Sequence, residues 1–119
     1  MAEQQSDDWH TVASAGELED GDMKQVIVAG RRMALYRVDG SFYATSDVCT
    51  HAFAFLTQGY LEDFSVECPL HQGCFDIRTG EALTAPVTVA IPTYPVQVNG
   101  DDVLIAYTPP PKKEEEQSN

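Results

Sequence analysis

Cys49-Thr50-His51 opens the stretch that decides the fold, and Cys68-Pro69-Leu70-His71 closes it, with sixteen residues between the two boxes in a chain of 119. Each box offers one thiolate and one imidazole. Two metal sites use that mixture: zinc held tetrahedrally by two Cys and two His, and an asymmetric [2Fe–2S] cluster in which His replaces Cys on one iron. Finger-type zinc sites pair like ligands at short spacing. Here each box carries one ligand of each kind, so each can give its Cys to one iron and its His to the other. The spacing favours the cluster, with Cys49, His51, Cys68 and His71 as its ligands. A zinc-stabilised interaction module is the alternative.

Working outward, residues 47 to about 83 hold both boxes, three glycines and few long apolar runs, as a small cluster-binding insertion would. Upstream, β-rich runs at 24–29, 32–38 and 41–45 are parted by Gly30 and by Asp39-Gly40. Asp-Gly between alternating runs signals a tight hairpin, because both central residues must accept positive φ. A three-stranded meander is therefore expected. Residues 9–12 read as a first strand, with the Trp9 indole anchoring the base of the core and His10 facing solvent. Residues 13–22 suit a turn or a single helical turn.

Downstream, Ser65-Val66-Glu67 leads into Cys68 as a short strand, and Phe75-Asp76-Ile77 alternates. Strands at 87–91 and 95–98 are broken by Pro92, which has no N–H to give a ladder. Asn99-Gly100 then turns the chain into a strand at 103–107. No run signals a helix of ten residues. The fold class is mainly β: one domain over residues 9–108, an antiparallel β sandwich with the inserted cluster-binding part, between a flexible leader at 1–8 and a disordered acidic tail at 109–119.

Nineteen acidic residues against seven basic ones give a net charge of −12. Phosphate binding needs clustered Lys and Arg, so no nucleic-acid partner is expected. The acidity serves solubility, or steers the chain toward basic patches on transient partners. No run of eighteen apolar residues and no secretory leader pattern is present, so the expectation is a cytoplasmic protein without a membrane partner. Cys74 is left over as a thiol without a redox role. No Ser-His-Asp set, phosphate loop or open-site metal triad stands out, which argues against an enzyme with its own substrate.

The two boxes, with Cys68-Pro69-Leu70-His71-Gln72-Gly73-Cys74-Phe75-Asp76-Ile77-Arg78-Thr79-Gly80 and Ala85-Pro86-Val87, resemble the Rieske-type ferredoxins of bacterial aromatic-ring-hydroxylating dioxygenase systems, the naphthalene and biphenyl type. The likeness covers roughly residues 9–107. It implies a Rieske-type β sandwich carrying one [2Fe–2S] cluster, with Cys49 and Cys68 on the inner iron and His51 and His71 on the outer one. It implies an electron carrier, monomeric and docking transiently, between a flavin-containing ferredoxin reductase and a terminal oxygenase. A Rieske-fold redox sensor would need an effector-binding region, and no residues remain to build one.

The resemblance also sets finer expectations. High-potential members brace the cluster with a disulfide, whose positions match Ala54 and Leu70 here, and carry Ser and Tyr donors where this chain has Gly73 and Phe75. With those donors missing, the potential is expected low in the Rieske range, roughly −150 mV. Phe53, Phe55, Leu70 and Pro86 are expected to form an apolar collar around an exposed imidazole edge. Cys74 stands where the family often has a long basic side chain.

Overall fold

A computed structural model of the chain describes residues 8–50, 53–70, 73–84 and 89–109. Ten strands follow one another in these residues: β1 (Trp9–Ser14), β2 (Asp22–Val28), β3 (Arg31–Val38), β4 (Ser41–Ser46), β5 (Tyr60–Glu62), β6 (Ser65–Glu67), β7 (Cys74–Asp76), β8 (Thr93–Tyr94), β9 (Val96–Asn99) and β10 (Asp102–Ala106). Single 3-10 turns occupy Ala15–Glu17 and Leu56–Gln58. The strands form three antiparallel sheets, ordered β1-β10-β9, β2-β3-β4-β8 and β5-β6-β7.

The expected meander is β2-β3-β4, with Asp22 opposite Arg37 at one end and Val28 opposite Arg31 at the other. Asp39 and Gly40 take φ of 54° and 80° between β3 and β4, the left-handed pair that a tight hairpin demands. The second hairpin signal is shifted by one residue. Asn99 pairs with Asp102, so Gly100 and Asp101 form the turn and Asn99 ends the strand.

β3 explains how the sheets stack. Met33 and Leu35 join an apolar cluster with Val103 and Ile105 of β10, whereas Ala34, Tyr36 and Val38 join a second cluster with Val66, Phe75, Cys49 and Cys68. Alternate residues of one strand thus face two cores, and the strand reads as a continuous apolar run because both its faces are covered. The β1-β10-β9 sheet covers one face, and the small β5-β6-β7 sheet with the two Cys covers the other. Burial pushes the Tyr36 phenol well above its ordinary range, and its oxygen shares a 2.8 Å hydrogen bond with Thr45 Oγ1.

Three expectations need correction. Trp9 is 39% exposed and lies outside both cores; β1 is the edge of its sheet, and Leu18, Val103 and Ile105 fill the base instead. His10 is partly buried, with Nε2 3.0 Å from the Tyr107 carbonyl. In the expected strand at 87–91, residues 85–88 lie outside the described residues and 89–91 are not strand; pairing resumes only at Thr93, opposite Thr45.

Candidate metal centre

The two boxes sit in loops built to one plan. Val48 bridges Phe55, and the Cys49 N–H donates to the Ala54 carbonyl at 2.9 Å. Likewise Glu67 pairs with Cys74, and the Cys68 N–H donates to the Gly73 carbonyl at 2.8 Å. In both, the Cys is the first residue past the last strand pair and closes the loop onto the fifth residue ahead. Both Cys are buried, at 5% and 0% exposure, in the same apolar cluster. Chain exposure then rises steeply toward each tip, to 88% at Phe53 and 62% at Leu70. His51, His71 and Pro86 lie outside the described residues.

A third segment ties the loops together. The Cys74 N–H donates to Thr84 Oγ1 at 2.9 Å and its carbonyl accepts from the Leu83 N–H at 2.8 Å, fixing the segment to the second loop. Thr50 Oγ1 then donates to the Val89 carbonyl at 2.8 Å, fixing the first. Val89, whose carbonyl takes that bond, adds an apolar side chain at 62% exposure. Phe55 departs from the expected collar: it is half-buried, with the Arg32 guanidinium 5.4 Å above its ring.

Asp47 was not legible as a site residue. It is fully buried, and its carboxylate accepts from Gln25 Nε2 at 2.6 Å, the Thr57 N–H at 2.8 Å and Thr57 Oγ1 at 2.9 Å. Its own carbonyl accepts from the Leu56 N–H at 2.7 Å. One residue therefore clamps the two limbs of the first loop, two positions before Cys49. Gly59 does comparable work by being small. A Cβ there would meet the Glu67 carbonyl oxygen at 1.9 Å and Pro69 Cδ at 3.1 Å, so the chain leaving the first loop lies directly against the entry to the second.

Cys49, Cys68 and Cys74 are not joined in disulfides. Two buried thiols at equivalent points of equivalent loops are a soft donor pair, and as thiolates they need a cation to offset burial. This donor set fits the inner iron of an asymmetric cluster. The family profile for the Rieske [2Fe–2S] domain matches residues 8–95, spanning both loops and the meander beneath them.

The chain belongs to the Rieske [2Fe–2S] domain family. Its cofactor is accordingly one Rieske-type [2Fe–2S] cluster. Among curated proteins it is similar to the ferredoxin component of the naphthalene 1,2-dioxygenase system of Pseudomonas aeruginosa, at 48% identity over 97 residues, covering 82% of this chain and 93% of the relative. Among solved structures the Rieske chain resembles the ferredoxin of carbazole 1,9a-dioxygenase from Nocardioides aromaticivorans IC177, with a TM-score of 0.82, 34% identity and coverage of 84% of this chain and 98% of that one. It also resembles a chain of a complex of reduced oxygenase and oxidised ferredoxin in carbazole 1,9a-dioxygenase, with a TM-score of 0.80 and 37% identity over 82% of this chain and 92% of that one. No helix among the described residues is long and apolar enough to cross a membrane.

Proposed function

We propose that this Rieske chain is a one-electron carrier, an electron-transfer component with no substrate of its own, that takes electrons from a flavin-containing reductase and delivers them to the Rieske centre of a terminal aromatic-ring-hydroxylating oxygenase. The observation that carries the reading is the pair of matched loops, each opening on a buried Cys and ending in an exposed apolar tip. The cluster, when bound, supplies a site that accepts and returns one electron. The work of the chain's own residues is to hold that site, tune it and present one edge of it.

Cys49 and Cys68 hold the inner iron, and His51 and His71 the outer one. Burial of both Cys and exposure of Thr50, Phe53 and Leu70 beside the His positions support this division. Asp47, Thr50 and Thr84 fix the loops that carry the ligands. Phe53, Leu70 and Val89 shape an apolar rim suited to brief contact with a partner. Gly73 and Phe75 bring no hydroxyl to the sulfurs, and Phe75 is fully buried in the cluster that holds both Cys, so the potential lies low in the Rieske range, at about −150 mV. The carrier works in the cytoplasm, as a monomer that docks transiently.

Iron, zinc and acid-labile sulfide assays test the site directly. Two irons and two sulfides per chain are expected, with the visible spectrum lost or shifted in both His51→Ala and His71→Ala. Zinc without sulfide, or an unchanged spectrum in either variant, would contradict the ligand assignment.

A further inference from the structure

Three of the basic side chains among the described residues contact a carboxylate: Lys24 with Glu17 at 3.1 Å, Arg37 with Asp20 at 3.6 Å and Arg78 with Asp76 at 3.0 Å. Arg31 and Arg32 have no such carboxylate among the described residues, in a chain that holds nineteen acids. Aromatic rings brace them instead. Arg31 Nε donates to the Tyr107 hydroxyl at 2.9 Å, and its guanidinium carbon lies 5.4 Å from that ring's centre. The Arg32 guanidinium stacks over Phe55 at the same 5.4 Å. A braced guanidinium keeps its terminal N–H groups in a fixed fork that matches a carboxylate.

Both arginines open onto a groove of about 560 Å³ that Ser46, Val48 and Tyr107 also line. The groove adjoins the first ligand loop: the Arg32 carbonyl accepts from the Asp47 N–H at 3.1 Å, and Phe55 lies 6.4 Å, centre to centre, from the exposed Phe53 ring. Residues 48–60, 68–75 and 82–100 contain no Asp, Glu, Lys or Arg; Arg78, the cation nearest in sequence, is held by Asp76 at 3.0 Å, which leaves Arg31 and Arg32 as the cations beside the first loop without a carboxylate among the described residues. Acids gather at the other end of the meander. Asp22 lies opposite Arg37 in the strand register there, the Gly40 N–H donates to Asp20, and the Asp101 carbonyl accepts from the Ala15 N–H.

We propose that the Arg31–Arg32 groove is the charged part of the docking face for the terminal oxygenase, taking a carboxylate-bearing edge of that partner while Phe53, Leu70 and Val89 meet an apolar patch. The proposal rests on the electron-carrier reading. An apolar centre with a charged rim is the ordinary anatomy of an interface, and the rim sets orientation and encounter rate. The polarity of the chain also revises the idea that its acidity brings the tip to a basic patch. With acids at the far pole and arginines beside the tip, the field turns the tip toward a negative surface.

The test mixes reduced carrier with oxidised oxygenase and follows the passage of one electron at low and high salt. The R31E/R32E variant is expected to transfer at least about tenfold more slowly at low salt, the gap closing as salt screens the charges, with visible spectrum and midpoint potential unchanged. Arg32→Gln, which leaves the Arg31–Tyr107 contact in place, falls between, and D101N/D102N at the far pole matches the unsubstituted rate. Equal transfer by R31E/R32E with an intact spectrum overturns the proposal, as does equal slowing by D101N/D102N. A chain ending at Pro109 that transfers faster and no longer responds to R31E/R32E would assign the groove to the chain's own Glu114-Glu115-Glu116 and overturn it too. Failure of the carrier reading is distinguishable, because the unsubstituted protein would then pass no electron.

Discussion

Asp47 carries more of the site's order than any residue outside the ligand boxes. Its carboxylate accepts three hydrogen bonds from Gln25 and Thr57 with no solvent contact, and a buried donor left without its partner costs about 1–3 kcal/mol. Asp47→Ala is therefore expected to cost about 3 kcal/mol or more in chemical denaturation and to shorten the lifetime of the bound cluster. A loss under about 1 kcal/mol would show that the clamp is not needed. The two Cys/His boxes stand out in the sequence because donor type and local spacing mark them, whereas Asp47 joins partners 22 and 10 positions away. Phe53 and Phe55 looked alike in sequence for the same reason. Only the Val48–Phe55 bridge turns one inward and leaves the other at 88% exposure.

At the scale of elements, hairpins declared themselves and packing did not. Asp39-Gly40 was readable because a tight turn fixes φ locally, but Gly59 has φ of −96° and no conformational need to be glycine. Its constraint is the Glu67 carbonyl 1.9 Å from a would-be Cβ. The two glycines should thus respond differently to alanine. Gly40→Ala, which meets open space, should cost about 1–2 kcal/mol for its left-handed backbone. Gly59→Ala has to displace backbone between the two loops and should cost more than about 3 kcal/mol, with reduced iron content per chain; equal unfolding midpoints for the pair would refute this. The missed pairing at Thr93 has a related cause. Residues 89–91 are apolar enough to read as strand, yet the Thr50 and Gly80 contacts hold that segment across the loops.

Across the whole molecule, two sheets support a third that carries the loops, and β3 serves both cores at once. The mainly β class was plain from alternation and turn residues, but this layering depended on contacts far apart in sequence. A cluster held by both loops, as proposed, would cross-link segments that otherwise meet through short contacts, and metal binding free energy is also folding free energy. Removing iron and sulfide should lower the melting temperature by on the order of 10 °C, an effect read by comparing apo and reconstituted protein in one calorimeter. The most direct test of the account is a reductive titration of the purified chain, followed by visible absorption and electron paramagnetic resonance. The account predicts that each chain takes up one electron near the low end of the Rieske potential range and returns it completely on reoxidation. A colourless protein, or one that takes up no electron or fails to give it back, would contradict it.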